Sequence, residues 1–150
     1  MSYRMRYGAR VPIRPTALAV VRRGSDLLVT EAIDDVKEET FYRLLGGGIE
    51  FGEPAEQAVR REFREELDAE LTGLSLLGVV ENIFDYRGQP GHEIVFVFEG
   101  ALADRGWYER EDLGKVLDTG QPVSWQPMAR FVSGEAPLYP ASLLRLLGVD

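Results

Sequence analysis

The sequence predicts an α/β fold on three observations. Two pairs of β-rich runs are each broken by a turn signal, a segment of strong helix formers lies between the pairs, and a short apolar segment stands near the C-terminal end. With 150 residues, 45% of them hydrophobic and 28% charged, the chain is expected to form one domain over 1–150. A chain of this length buries roughly 70% of the surface its unfolded form exposes, so no staple is needed.

Thr16 to Arg22 and Leu27 to Ile33 are separated by Arg23-Gly24-Ser25-Asp26 and read as a hairpin. Asp34 to Glu39 is a charged loop. The run Thr40 to Leu45 then meets Gly46-Gly47-Gly48, which reads as a special turn because glycine allows torsions and close approaches barred to other residues. Pro54 suits a first helical position, and Ala55 to Leu67 holds Ala, Glu, Gln, Arg and Leu without Gly or Pro, which predicts a helix. Leu74 to Tyr86 and His92 to Ala103 flank Arg87-Gly88-Gln89-Pro90-Gly91 and form a second hairpin. Glu109 to Leu117 reads as a short helix despite Gly114. Pro122 to Arg130 reads as a strand interrupted by Pro127, and Pro140 to Leu147 as a terminal helix closed near Gly148.

Composition narrows the chemistry. Zero cysteines remove disulfides, thiolate zinc sites and cysteine nucleophiles, and fit a reducing compartment. A single histidine, His92, removes multi-histidine metal centres. Carboxylates, arginines, hydroxyls or backbone must carry any reaction. Seventeen basic against 25 acidic groups give a net charge of −8, which argues against broad nucleic-acid binding but leaves a small phosphorylated ligand open. Lys37 and Lys115 are the only lysines; the other basic residues are arginines, the side chain shaped for bidentate contacts with phosphate or carboxylate. No apolar run approaches the ~20 residues of a membrane helix. The start, Met1 to Pro15, carries Arg4, Arg6, Arg10 and Arg14 without the apolar stretch of a secretory signal, so the expected location is cytoplasmic.

The helical segment holds the main anomaly. With Ala55 at zero and 100° per residue, Ala58, Val59, Phe63 and Leu67 define an apolar stripe, and Glu62 (~340°) and Glu66 (~20°) fall inside it, with Glu65 (~280°) at its edge. Burying several carboxylates together is costly through both desolvation and repulsion, and a cation resolves the conflict. An all-oxygen cluster at i, i+3 and i+4 suits Mg²⁺ or Mn²⁺ rather than zinc. The competing reading is a solvated acidic face paired with Arg60, Arg61 and Arg64.

Gly47, then Glu53 after five residues, then Arg61-Glu62-Phe63-Arg64-Glu65-Glu66 after seven more, resembles the Nudix box, Gly-x5-Glu-x7-Arg-Glu-U-x-Glu-Glu-x-Gly-U with U bulky and aliphatic. Tyr42-Arg43-Leu44-Leu45-Gly46-Gly47 is similar to the lead-in of that family, with Leu45 in place of proline. Two positions depart from the pattern: Asp68 stands where the family has glycine and Ala69 where it has a bulky aliphatic residue. The glycine supplies a left-handed helix cap, a conformation Asp tolerates at modest cost.

The resemblance implies an α/β/α sandwich whose mixed β-sheet is covered by the box helix on one side and the terminal helix on the other. It implies divalent-metal-dependent hydrolysis of a diphosphate linkage in a nucleoside diphosphate derivative, with Glu62, Glu65, Glu66 and the Gly47 carbonyl holding Mg²⁺ or Mn²⁺. Glu65 or Glu66 is a candidate base, as are Glu93, Glu99, Glu109 and Glu111 outside the box. Arg61 and Glu53 would orient the ligand carboxylates. Arg43 is a candidate for phosphate, Tyr42 for stacking on a base, although core packing suits Tyr42 better, and Tyr86 has a spacing similar to the tyrosine of dinucleoside polyphosphate hydrolases in this family. The expected partner is a small nucleotide, with no membrane; a homodimer is left open. Alternative readings are a dinucleoside polyphosphate hydrolase specifically, a catalytically silent nucleotide sensor, and a protein-interaction domain.

Overall fold

A computed structural model describes residues 11–149; Arg4, Arg6 and Arg10 lie outside the described residues. In chain order the elements are β1 (Arg14–Arg23), β2 (Asp26–Asp34), β3 (Glu39–Arg43), β4 (Leu45–Gly48), α1 (Ala55–Leu67), β5 (Leu71–Tyr86), β6 (Gln89–Leu102), a 3₁₀ turn (Arg105–Glu109), β7 (Val123–Pro127), α2 (Met128–Val132), β8 (Leu138–Tyr139) and α3 (Leu143–Leu146).

The strands follow the order β5-β6-β1-β2-β3-β8, with β4 also on β1 and β7 also on β2. Pairing is parallel between β1 and β6 and between β3 and β8, and antiparallel elsewhere, so the sheet is mixed and curled. β1 is its spine. The first part of β1 lies between β4 and β6, and its last residues, Arg22 and Arg23, pair with Leu27 and Asp26 of β2.

Alternation along β1 supplies two cores. Ala17, Ala19 and Val21 face a cluster with Ala58, Val59, Phe63 and Leu67 of α1, while Leu18 and Val20 face Phe131 of α2, Leu138 of β8 and Leu143 at the start of α3. Helices therefore cover both faces, as expected. Phe63 is fully buried, and truncating such a ring to alanine costs about 3–5 kcal/mol.

Several elements differ from the sequence expectation. Pro54 is the residue before the helix, with extended torsions (φ −63°, ψ 149°), and α1 starts at Ala55. Asp68, in contrast, takes the left-handed cap as expected (φ 52°, ψ 43°), its N–H donating to the Arg64 carbonyl, and Ala69 after it is buried. The triple glycine is not a turn but a strand, β4, paired to Thr16, Ala17 and Leu18. Gly46 has φ 141°, and a Cβ there would collide with the Ala17 carbonyl oxygen, so no side chain fits. The expected five-residue loop between the long strands shrinks to Arg87 and Gly88, both at positive φ (52° and 77°), as a tight hairpin turn needs. Glu109 to Leu117 is not helical: Gly114 sits at φ 77°, and the Asp112 carboxylate accepts its N–H instead. The segment from Pro122 splits at Pro127 into β7 and α2, and the terminal helix is a single turn, Leu143–Leu146.

Candidate active site

Arg61 organises the acidic helix. Its Nε lies 2.8 Å from one oxygen of Glu53 and its Nη2 2.9 Å from the other. Nη2 also donates to the Gly48 carbonyl at 2.9 Å, and Nη1 reaches Glu62 at 3.0 Å and Glu65 at 3.2 Å. One guanidinium thus ties the β4 strand, the loop before α1 and two turns of the helix together. Glu53 also accepts the Glu50 N–H at 3.1 Å. Arg61 holds the Glu53 carboxyl below the usual carboxylate range, with the Glu50 N–H helping, and Arg61 is in turn held more firmly charged, chiefly by Glu53.

Glu66 faces inward and is only 8% exposed. Burial pushes its carboxyl up to about 9, reinforced by a hydrogen bond and like charge from Glu62 and by Asp118, and partly opposed by Arg43. Gly47 packs directly on Glu62, since a Cβ there would lie 2.6 Å from the carboxylate carbon. Glu65 is held by Arg61 and its side chain is half exposed. Among the described residues no group of three or more His, Cys, Asp or Glu side chains converges into a ready cation site. Buried Glu66 and half-buried Glu62 nevertheless fit a divalent cation: the donors are all oxygen, and a crowded pair of acids is relieved by positive charge.

Arg43, whose charge acts on Glu66, lines a cavity of about 400 Å³ that none of Glu53, Glu62, Glu65 and Glu66 lines. Its ionic end carries Arg14, Glu93 and Asn82, which are register partners across three strands, with Arg43; its far end, toward the hairpin tips, carries the rings of Phe41, Phe84, Tyr86 and Tyr139 among the charged groups Asp34, Lys37, Glu39 and Asp85. Arg14 lies 4.0 Å from Glu93, whose other neighbour is the Asn82 amide at 3.4 Å. Phe41 packs edge-on against Tyr86 (5.8 Å between ring centres) and tilted against Tyr139 (5.3 Å).

Arg43 and Tyr86 therefore line the cavity, whereas Tyr42 does not. It is buried in the core against Phe131, its hydroxyl accepting from Arg130 at 3.4 Å, because adjacent strand residues point to opposite faces. Of the acids outside the box, Glu93 lines the cavity, while Glu99 pairs with Arg22 and Glu111 with Arg23 on the surface. Sequence reasoning passed over Arg14, Asp34, Phe41, Phe84 and Tyr139 as site residues. An Asp opening a turn was the one local signal for Asp34; the others become neighbours only through strand pairing.

A curled mixed sheet between helices, with an arginine-tied acidic helix beside a cavity, defines the class of α/β domains to which Nudix hydrolases belong. The family model described as the Nudix domain matches residues 12–140, and the chain belongs to the Nudix family. The NAD-capped RNA hydrolase NudC of Mycobacterium tuberculosis is 29% identical over 116 residues, covering 72% of this chain and 36% of that relative. The chain thus spans just over a third of the length of the curated relatives it matches. Among solved structures, a Nudix hydrolase from Nitrosomonas europaea superposes with a TM-score of 0.67 at 20% identity, covering 91% of this chain and 87% of that one. A MutT protein from Methanosarcina mazei Go1 does so with a TM-score of 0.63 at 19% identity, covering 92% of each chain. These structures share the fold. Among the described residues, no helix is long and apolar enough to cross a membrane.

Proposed function

We propose that this chain, acting as one Nudix domain over 1–150, is a pyrophosphohydrolase that cleaves the diphosphate linkage of a nucleoside diphosphate derivative in a reaction dependent on Mg²⁺ or Mn²⁺. The observation that carries the reading is the buried Glu66, crowded by Glu62 and linked through Arg43 to a cavity with an ionic end and an aromatic end.

Glu62 and Glu66, joined by Glu65 and the Gly47 carbonyl, would hold the metal. When bound, the cation supplies charge neutralisation for the diphosphate and a water of lowered pKa. Arg61 keeps Glu62 and Glu65 oriented by holding both while anchored on Glu53 and Gly48. Arg43 and Arg14 are suited to the phosphate oxygens, being guanidinium groups at the ionic end of the cavity. Glu93 is the favoured base because it lines the same end of the cavity, held only loosely by the Asn82 amide at 3.4 Å and Arg14 at 4.0 Å. The aromatic end suits a nucleobase. A cytoplasmic setting, which the cysteine-free composition accommodates, belongs to this reading.

The deciding experiment is turnover of nucleoside triphosphates, nucleotide sugars, ADP-ribose, NADH and dinucleoside polyphosphates with and without Mg²⁺ or Mn²⁺. Metal-dependent release of a nucleotide product is the expected result, and a marked preference for dinucleoside polyphosphates would give weight to Tyr86. Binding without turnover would favour a nucleotide sensor, and neither binding nor turnover an interaction module.

A further inference from the structure

We propose that Asp34 is a positioning residue: it latches the tips of the β2–β3 and β5–β6 hairpins together and so fixes the aromatic end of the cavity to receive the base of a nucleoside diphosphate ligand. The inference rests on the nucleotide reading above and names the residue that shapes the base end of that site.

Asp34 is 1% exposed, although it ends a strand at the rim of the molecule. One carboxylate oxygen accepts the N–H groups of Val36 at 3.0 Å and Lys37 at 3.1 Å, which would satisfy an ordinary turn. The second oxygen accepts the N–H of Arg87 at 3.0 Å, and Arg87 belongs to the tip of the other hairpin, 53 positions away. Further bonds join the same two tips: Lys37 Nζ donates to the Asp85 carbonyl at 2.8 Å, the Tyr86 hydroxyl donates to the Ile33 carbonyl at 3.3 Å, and the Arg87 guanidinium reaches the Ile33 carbonyl at 3.4 Å and Asp35 at 3.5 Å. β5 is an edge strand beyond β6, so its tip has no further strand to hold it, and this latch takes that role. Lys37 and Asp34 line the cavity beside Phe41, Phe84, Tyr86 and Tyr139. Releasing the latch therefore frees the walls around the base while leaving Arg14, Arg43 and the acidic helix untouched.

Two ligands separate the ends of the site. ADP uses both, and inorganic pyrophosphate only the ionic end. Asp34→Asn keeps an oxygen for Val36 and Lys37 but turns an NH₂ toward the Arg87 N–H, breaking the cross-hairpin bond alone. Calorimetric titration in Mg²⁺ should show ADP affinity falling about tenfold or more and pyrophosphate affinity changing by less than about twofold. Hydrogen exchange should show the Arg87 amide losing protection. Arg87→Gly retains the N–H and the left-handed backbone but removes the side-chain bond to the Ile33 carbonyl (3.4 Å) and the ion pair with Asp35 (3.5 Å), so its ADP affinity should fall by less than that of Asp34→Asn. Lys37→Met, which removes one bridging bond and no turn bond, should give a smaller, base-dependent loss; it carries the test should Asp34→Asn fail to fold. Equal loss of both ligands, unchanged ADP affinity with an exposed Arg87 amide, or no ADP binding by the wild type would each overturn the inference. Hydrolysis by the wild type with a latch-indifferent ADP affinity would overturn the latch alone. Latch-dependent ADP binding without any turnover would overturn the hydrolase reading alone.

Discussion

Arg61 and Glu53 form a two-point bridge, Nε to one carboxylate oxygen at 2.8 Å and Nη2 to the other at 2.9 Å, across the loop that leads into α1. The fork geometry leaves Nη1 free to hold Glu62 and Glu65. Lysine has the charge without the fork. Arg61→Lys should therefore lower kcat by on the order of tenfold to a hundredfold and reduce stability by about 2 kcal/mol. Steady-state kinetics beside urea unfolding checks both numbers, and a variant of wild-type activity would remove Arg61 from the site.

The helix carboxylates should separate from their neighbours on the same helix. Glu62→Gln, Glu65→Gln and Glu66→Gln keep side-chain volume and should each lose about a hundredfold or more in kcat, on the order of 3 kcal/mol of barrier. Glu56 is half exposed and pairs with Arg60 at 3.2 Å on the outer surface, so Glu56→Gln should stay within about threefold of wild type, a loss of under ~1 kcal/mol. Four variants of equal activity would take the acidic face out of the chemistry.

How much of this was legible beforehand differs by element. The helix Ala55–Leu67 was readable to within one residue at Pro54, because helix formers and the apolar period speak locally. The strand nature of Gly46 to Gly48 was not, since glycine carries no strand signal and the pairing with β1 is a tertiary contact. Core packing already suited Tyr42 better than a base did, and strand facing sends it into the core, whereas the place of Tyr86 in the cavity depends on the pairing of distant strands. The Arg61 fork could be expected from the box spacing, but its bond to the Gly48 carbonyl could not. Asp34 was hidden because one of its partners lies 53 residues along the chain.

Metal should stabilise the fold through the crowded pair. With its carboxyl pushed up to about 9, Glu66 is mostly protonated in the metal-free protein near neutral pH, so Glu66→Gln removes little charge there and in EDTA should melt close to wild type. Saturating Mg²⁺ or Mn²⁺ should raise the wild-type melting temperature, by an amount equivalent to about 2.7 kcal/mol at a hundredfold excess over Kd, and should barely move Glu66→Gln. Scanning calorimetry with and without metal measures this; a wild-type Tm indifferent to millimolar metal would argue against cation binding here.

Acid should loosen the two hairpin tips. The Arg87 N–H, with those of Lys37 and Val36, holds the Asp34 carboxyl below its ordinary value of 3.8 against the opposing effect of burial, with Lys37 adding favourable charge. Arg87, Asp35, Glu39, Asp85 and Tyr139 complete its charged and titratable surroundings. A depressed pKa means that the unfolded chain binds the proton more readily, so the stability is present above the unfolded value and lost as pH falls through the folded one. The Tm advantage of wild type over Asp34→Asn should be full near pH 6 (about two units above the ordinary value) and shrink progressively below pH ~4. A difference that stays constant down to pH ~2 would show that Asp34 does not act as a carboxylate.

The alternation of β1, with Ala17, Ala19 and Val21 in one core and Leu18 and Val20 in the other, has a consequence for how the molecule comes apart. A strand shared by two layers cannot leave one without leaving both, so the layers melt as a single cooperative unit rather than in sequence. Loosening α1 from its side of the sheet would slacken β1 and, through it, the α2 and α3 layer on the other side.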